Sequence, residues 1–203
     1  LSRPCGSLAM TQAKPKFATF EAYLEFDDGT DNRYELIDGE LVELPPESEP
    51  NDFIPNLLLL KLAEAGIPLR LIRPHTCEIQ VPVLERKDAA NRYPDLVILD
   101  QVHLGLTQKR LTILIDAPPP QLVAEVLSPG KANRDRDLIR KRAQYAKRGI
   151  PEYWLIDPEN QSVTVLTLEG DRYAEVGAFQ NDRPITSPQF PQLQLTPAQL
   201  FEN

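Results

Sequence analysis

The chain has 203 residues, of which 41 % are hydrophobic and 26 % are charged, and its formal net charge is −8. These values are ordinary for one globular domain, and the negative charge argues against a protein that coats nucleic acid without specificity. The longest apolar runs, such as 57–60 and 113–115, are too short to cross a bilayer. The two cysteines, Cys5 and Cys77, exclude a disulfide framework, so we expect a cytoplasmic protein.

The beginning of the chain differs from the rest. We expect residues 1–16 to be a leader that is partly vector-derived or disordered, because Met10 offers a start inside it, and residues 17–203 to form a single domain. The histidines, His75 and His103, stand far apart without zinc-ligand spacing, so we expect no zinc site.

The first half of the chain predicts two helices and several strands. Thr19 is the expected N-cap of a short amphipathic helix, and the Asp38-Gly39 pair between apolar runs predicts a hairpin. A second helix is predicted from Asn51 or Asp52 to Gly66. Strands are predicted at 69–72, 76–83 and 92–100.

The second half continues with alternating strands and helices. A buried strand at 121–128 is followed by a helix at 131–149, and strands at 151–160, 162–168 and 172–179 precede a short helix at 196–201. This order predicts an α/β (α+β) fold with a central mixed β-sheet flanked by helices.

Two carboxylates stand in predicted buried strands. Asp95 follows Pro94 at the start of an apolar strand, and Glu125 lies within LVAEVLS. An ionised carboxylate is costly to bury unless a cation compensates it. Both acids together form an oxygen-rich site suited to Mg²⁺; the alternative is that each faces water at a strand end.

The helix after Glu125 carries a lysine on a polar side. Asp137, Lys141 and Tyr145 are spaced by four residues and share one helix face. A lysine beside a metal can orient the attacking water or stabilise charge on a phosphate. An ordinary Asp137–Lys141 surface ion pair is the alternative explanation.

Further charged residues are candidates for weaker reasons. Glu35, in the first predicted hairpin, is either an additional ligand or a solvent-exposed acid. The segment 131–148 has a net charge of +6, which leaves −14 for the rest of the chain, and its arginines either contact phosphates or face solvent. The DNA-contact candidates are Arg134, Arg136, Arg140 and Arg142.

The pattern of these motifs resembles a known family. PD at 94–95 followed by an acid in a hydrophobic strand is similar to the PD-(D/E)XK nuclease pattern. The segments RYELIDGELVEL, PDLVILD, LVAEVLSPG and DLIRKRAQYAKRGIPEYWLIDP together resemble the Uma-two family of restriction endonucleases, a group expanded in cyanobacteria and formerly a domain of unknown function. The resemblance covers roughly residues 17–202.

The resemblance implies a restriction-endonuclease-like fold and phosphodiester hydrolysis with a divalent metal, Mg²⁺ or Mn²⁺. Asp95 and Glu125 match the metal-binding acids, and Glu35 matches an additional acid. The superfamily lysine would fall at Leu127, so in this family Lys141 on the following helix takes its place. Asp137 and Tyr145 match supporting positions around the lysine.

The chain departs from its relatives at the second helix. Many of them carry a histidine at its start, where this sequence reads SEPNDFIPN. Any role of that histidine is absent here or belongs to Asn51 or Asp52.

Two classes of function remain beside a Mg²⁺-dependent DNA endonuclease. One is a catalytically silent DNA-binding or protein-interaction module on the same fold, and the other is a structural or assembly protein. The endonuclease predicts DNA as partner, no membrane, and a homodimer, since two symmetric sites most simply cut both strands of a duplex.

Overall fold

The structure, a computed structural model, describes residues 15–130 and 135–201. The predicted leader therefore falls almost wholly outside the described residues. A 3-10 turn (Leu69–Leu71) precedes β3, and a π-helical segment (Arg136–Lys141) precedes α4. The helices and strands are α1 (Phe20–Leu24), β1 (Tyr34–Ile37), β2 (Glu40–Glu43), α2 (Glu49–Glu64), β3 (Ile72–Pro74), β4 (Glu78–Gln80), β5 (Asn91–Arg92), β6 (Leu96–Ile98), α3 (His103–Leu106), β7 (Thr112–Ile113), β8 (Leu122–Val126), α4 (Arg142–Arg148), β9 (Glu152–Asp157), β10 (Ser162–Glu169), β11 (Arg172–Gln180) and α5 (Ala198–Phe201).

Short sequence motifs correctly predicted the first helix and the first hairpin. Thr19 caps α1 by accepting a hydrogen bond from the amide of Ala22 at 3.2 Å. Asp38 and Gly39 both have positive φ, +51° and +81°, as the tight β1–β2 hairpin requires. A Cβ at Gly39 would lie 2.6 Å from the carbonyl oxygen of Phe17, so only glycine fits there.

The central sheet has six strands in the order β11-β10-β9-β8-β6-β3. Strands β8 and β9 are parallel, and the other neighbours are antiparallel. The parallel pair needs a crossover, and the chain between β8 and β9 provides it with the π-helical segment and α4. The predicted mixed sheet is confirmed. A smaller sheet has the order β5-β4-β7.

Helices cover both faces of the central sheet, and this decides where Glu125 points. On one face, Leu58 and Leu62 of α2 pack against Ala124 and Val126 of β8. On the other face, Tyr145 of α4 packs in a cluster with Val123 and Leu127. Because side chains alternate along a strand, Glu125 shares the α4 face with Val123 and Leu127.

Two predicted elements differ in detail. Residues 69–71, expected as strand, form the 3-10 turn, because Pro68 accepts from the amide of Leu71 before the chain extends into β3. Helix α2 begins at Glu49, ahead of the predicted start, and includes Pro55. Within the described parts of the chain, no helix has the length and apolarity needed to span a membrane.

Candidate active site

Two neighbouring strands bring Asp95 and Glu125 together. Strands β6 and β8 pair Leu96 with Ala124, and continuing this antiparallel register by one residue sets Asp95 opposite Glu125. Directly opposed residues of an antiparallel pair project to the same face. Both carboxylates are buried, with 11 % and 2 % of their side chains exposed. The sequence prediction that these two acids share one site is consistent with this geometry.

Both oxygens of Glu125 receive hydrogen bonds from the following helix. The ammonium of Lys141 lies 2.7 Å from Oε2, and the hydroxyl of Tyr145 donates to Oε1 at 2.7 Å. Burial raises the pKa of Glu125, and the charge of Lys141 opposes that rise. Since an ionised carboxylate offers about four lone-pair sites, Glu125 can keep both donors and still bind a cation.

Lys141 bridges two carboxylates. Its Nζ also lies 3.0 Å from Oδ1 of Asp137, which accepts from Nε of Arg136 at 3.1 Å. Burial lowers the pKa of Lys141, but Glu125 and Asp137 outweigh burial, so the pKa lies above its ordinary value. Lys141 is therefore a buried cation at neutral pH, and a role as a free-amine base is disfavoured.

The helix that carries these groups is π-helical at Arg136–Lys141 and becomes α-helical from Arg142. The spacing of Asp137 and Lys141 predicted one helix face but gave no sign of the π turn. Such turns are rare and occur frequently at functional sites. The hydroxyl of Tyr153 supports this one by donating to the carbonyl of Asp137 at 3.1 Å.

Neighbouring groups compensate the negative charge of Asp95 less fully than that of Glu125. Its Oδ2 accepts from the amide of Val126 at 2.6 Å. Burial raises the pKa of Asp95 well above its ordinary value, the charge of Glu125 adds to the rise, and Lys141 opposes it. Three buried carboxylates, with Asp137 as the third, thus lie around the buried ammonium of Lys141, and Arg136 adds one partly exposed positive charge at Asp137. A proton or a further cation would balance this excess of negative charge.

A second group of ligand types adjoins Asp95. His75 follows β3, and because Pro74 pairs with Leu96, its amide donates to the carbonyl of Asp95 at 2.9 Å. Ligand atoms of Glu47, His75 and Asp95 all lie within 4.8 Å of one another. Neither Glu47 nor His75 was predicted as a ligand. The β3–β6 register brings His75 to Asp95, and Arg33 links Glu47 to the carbonyl of His75.

The ring of His75 lies near the carboxylates of Asp52 and Asp95. Among the described residues, neither ring nitrogen has a partner within hydrogen-bonding distance, and both nitrogens are buried. Leaving such groups unsatisfied costs about 1–3 kcal/mol. Burial lowers the pKa of His75, partly offset by Glu47, so the ring is neutral at neutral pH, which is the form that binds metals.

The other histidine is structural. The ring of His103 accepts from the amide of Asp100 through Nδ1 at 2.9 Å, and its Nε2 lies 2.8 Å from the carbonyl of Pro118. Both nitrogens are satisfied, and the ring is fully buried.

The start of α2 contacts the same region. Asn51 donates to the carbonyl of Val126 at 3.3 Å and to the hydroxyl of Ser128 at 3.0 Å. Oδ1 of Asp52 lies 3.9 Å from Nε2 of His75. A histidine thus does approach the helix start, but it comes from the β3–β4 connection.

Glu35 lies on β1 and pairs with a buried arginine. Its Oε2 is 2.9 Å from the guanidinium of Arg92. Arg92 also donates to the side-chain oxygen of Gln144 on α4 through Nε and a terminal nitrogen, at 3.0 and 2.8 Å. The acid therefore contacts the helix of Lys141 through Arg92.

Three of the predicted DNA-contact arginines bind protein groups. Arg136 contacts Asp137, Arg140 donates to Asp88 at 2.8 Å, and Arg142 donates to the carbonyl of Tyr173 at 2.9 Å. The side chains of Arg136 and Arg140 remain 43 % and 37 % exposed. Arg134 lies outside the described residues, and DNA contact by these arginines stays a prediction.

Comparison with known proteins identifies the family. The family model Uma2, described as "Putative restriction endonuclease", matches residues 20–198. The chain belongs to the Uma2 family. No curated protein matches the sequence.

A solved structure has a similar fold. The Uma2 chain is similar to a putative nuclease belonging to DUF820 from Anabaena variabilis ATCC 29413, with 20 % identity and a TM-score of 0.64. The similarity covers 91 % of this chain and 97 % of the other. At this identity the likeness shows a shared fold, and the nuclease class rests on the family.

Proposed function

We propose that this Uma2 protein is an endonuclease that hydrolyses phosphodiester bonds in DNA and uses a divalent cation, Mg²⁺ or Mn²⁺, held by Asp95 and Glu125. The observation that carries the proposal is the pairing of these two buried acids across β6 and β8, with Lys141 at 2.7 Å from Glu125. Membership of a family of putative restriction endonucleases supports the reaction class.

The residues present fit a hard dication. Carboxylate oxygens are the ligands that Mg²⁺ and Mn²⁺ prefer. The negative charge of Asp95, Glu125 and Asp137 exceeds the combined positive charge of Lys141 and Arg136, so a cation would replace the proton that burial favours on the Asp95 carboxyl.

Each side chain has a distinct task in this proposal. When bound, the cation supplies Lewis-acid chemistry, polarising a phosphoryl oxygen and acidifying a water molecule. Lys141 stabilises the negative charge that grows on the phosphate or orients the attacking water. Tyr145 and Asp137 are positioning residues, because they hold Glu125 and the ammonium of Lys141.

Glu35 is proposed as the additional acid of the site. Its ion pair with Arg92 supports a role in positioning α4, because Arg92 also binds Gln144 of that helix. A homodimer with two sites remains our expectation for cutting both strands of a duplex.

The decisive experiment is cleavage of supercoiled plasmid with Mg²⁺ or Mn²⁺. Wild type, Glu125→Gln and Lys141→Met are compared with Glu169→Gln, which changes an exposed carboxylate at the β10–β11 hairpin. Circular dichroism verifies folding of each variant. We expect nicking or linearisation by the wild type and Glu169→Gln, and none by the two site variants.

Two outcomes would contradict the proposal in different ways. Cleavage that persists in folded Glu125→Gln would remove Glu125 from the reaction. A wild-type protein that neither cleaves DNA nor binds Mg²⁺ or Mn²⁺ by calorimetry would favour the catalytically silent module on the same fold.

A further inference from the structure

The backbone at His75 is held in an uncommon conformation. Its φ is +56°, in the left-handed region that non-glycine residues seldom adopt. The amide donates to the carbonyl of Asp95, and the carbonyl accepts from the guanidinium of Arg33 at 2.8 Å. Strained residues persist where the surrounding structure fixes them, and they concentrate at functional sites.

This conformation places the ring of His75 near two carboxylates, but neither of them accepts a hydrogen bond from a ring nitrogen. Nδ1 lies 3.9 Å from Oδ1 of Asp95, and Nε2 lies 3.9 Å from Oδ1 of Asp52. These distances exceed a hydrogen bond, and the described residues offer no other partner to either nitrogen. The side chain is only 13 % exposed, so water has little access to it.

Glu47 completes a mixed nitrogen and oxygen ligand set. Its ligand atom lies within 4.8 Å of those of His75 and Asp95. Glu47 is also held by Arg33, whose guanidinium lies 3.1 Å from Oε1. Arg33 therefore positions both the carboxylate of Glu47 and the backbone of His75.

We propose that Glu47, His75 and Asp95 bind a divalent transition-metal cation, at a position separate from the one between Asp95 and Glu125. The inference rests on the proposed function in one ligand, Asp95, which both positions share. An imidazole beside two carboxylates favours Zn²⁺, whereas Mg²⁺ and Mn²⁺ prefer oxygen ligands.

A side-chain movement is needed to close this site. Ligand atoms of a tetrahedral Zn²⁺ site, each about 2.1 Å from the ion, lie about 3.4 Å apart, so separations of up to 4.8 Å must shrink by as much as about 1.4 Å. The side chain of Glu47 is 27 % exposed and can supply that movement. One carboxylate oxygen can keep Arg33 while the other binds the cation.

The test is nuclear magnetic resonance of the two histidine rings during a Zn²⁺ titration of the full, chelator-treated chain. His75 should show a large ¹⁵N shift at a ring nitrogen. His103 is an internal reference, because both of its ring nitrogens already have hydrogen-bond partners. Unchanged His75 signals at saturating Zn²⁺ would overturn the inference.

Matched variants locate the ligand set. Glu47→Gln should weaken Zn²⁺ binding at His75 by about 10–100-fold, while Glu43→Gln, an exposed acid on β2, should leave it unchanged. Glu125→Gln should retain the His75 shift, because Glu125 belongs to the other position. Equal weakening by Glu47→Gln and Glu43→Gln would show only a general surface charge effect and would refute the site.

The two proposals can fail separately. Plasmid cleavage with Mg²⁺ together with an unresponsive His75 would leave the nuclease proposal standing and end this one. A Zn²⁺ shift at His75, lost in Glu47→Gln, in a protein that cleaves no DNA would support the cation site and remove the proposed nuclease activity.

Discussion

The ammonium of Lys141 lies 2.7 Å from Oε2 of Glu125 and joins the helical crossover to the middle of the central sheet. Both side chains are more than nine-tenths buried, and Asp137 contacts the same ammonium at 3.0 Å. Removal of one partner from a buried ion pair leaves the other charge uncompensated, which is far more costly than the loss of a surface pair.

We therefore expect Lys141→Met to lose roughly 3–5 kcal/mol of unfolding free energy in urea denaturation. Part of that loss should be recovered with Mg²⁺, because a bound dication replaces the missing positive charge. Lys147→Met on the same helix is the control, since Lys147 is exposed. A loss below about 1 kcal/mol for Lys141→Met, as for exposed pairs, would contradict the buried ion pair.

The raised pKa of Asp95 predicts a pH dependence of stability in the cation-free protein. The folded form holds a proton on Asp95 that the unfolded chain releases near the ordinary value of 3.8. The folded state then binds more protons, so unfolding free energy falls as pH rises from about 3.8 through the raised folded value. Asp95→Asn should flatten this slope in urea unfolding with EDTA, and Mg²⁺ should reduce it in the wild type.

Equal slopes for wild type and Asp95→Asn would show that Asp95 carries no excess proton. The expected direction does not depend on catalysis, so this measurement tests the electrostatics of the site separately from DNA cleavage. Asn keeps an acceptor for the amide of Val126, and the variant should therefore fold.

A comparison of two buried tyrosines tests whether the hydroxyl of Tyr145 supports cation binding or only the stability of the fold. Tyr145 donates to Glu125 at 2.7 Å, and Tyr173 donates to the carbonyl of Ile150 at 2.7 Å. Tyr145→Phe and Tyr173→Phe should each lose about 1–3 kcal/mol of stability. Only Tyr145→Phe should also weaken Mn²⁺ binding, by about 10–100-fold, as measured by calorimetry.

The same change in Mn²⁺ affinity in both phenylalanine variants would mean that cation binding follows global stability. The assignment of Tyr145 as a positioning residue would then be wrong.

Local sequence signals predicted much of this fold, because short-range chemistry determines those elements. Thr19 caps α1, and Asp38-Gly39 turns the β1–β2 hairpin, through contacts within three residues. The sequence also predicted that Asp95 and Glu125 share one site, because two acids buried in apolar strands need a cation to balance their charge.

Contacts between residues far apart in the sequence could not be predicted from local signals. His75 reaches Asp95 only through the β3–β6 pairing, and Glu35 meets Arg92 across 57 residues. The π turn at Asp137 could not be predicted either, because the spacing of Asp137 and Lys141 fits an α-helix equally well.

Glu152 shows why a buried acid alone does not identify a site. It lies in apolar β9 much as Glu125 lies in β8, but its oxygens accept from the indole of Trp154, the hydroxyl of Ser187 and the amide of Gln189. Neutral donors hold Glu152, whereas an ammonium and a hydroxyl hold Glu125. The identity of the partners, which the sequence does not give, distinguishes the two acids.

The exposed arginines of the crossover should contribute to DNA binding through phosphates. Arg136→Gln and Arg140→Gln should each lower duplex affinity and reduce the slope of log affinity against log salt by about 1. Binding is measured by fluorescence anisotropy in EDTA, so that no cleavage occurs, with Arg70→Gln as control because Arg70 is exposed in the 3-10 turn before β3, outside the crossover. Arg140 also pairs with Asp88, and a purely structural role would change stability while leaving the salt slope unaltered. A slope equal to that of the control in both variants would therefore remove these arginines from the DNA interface.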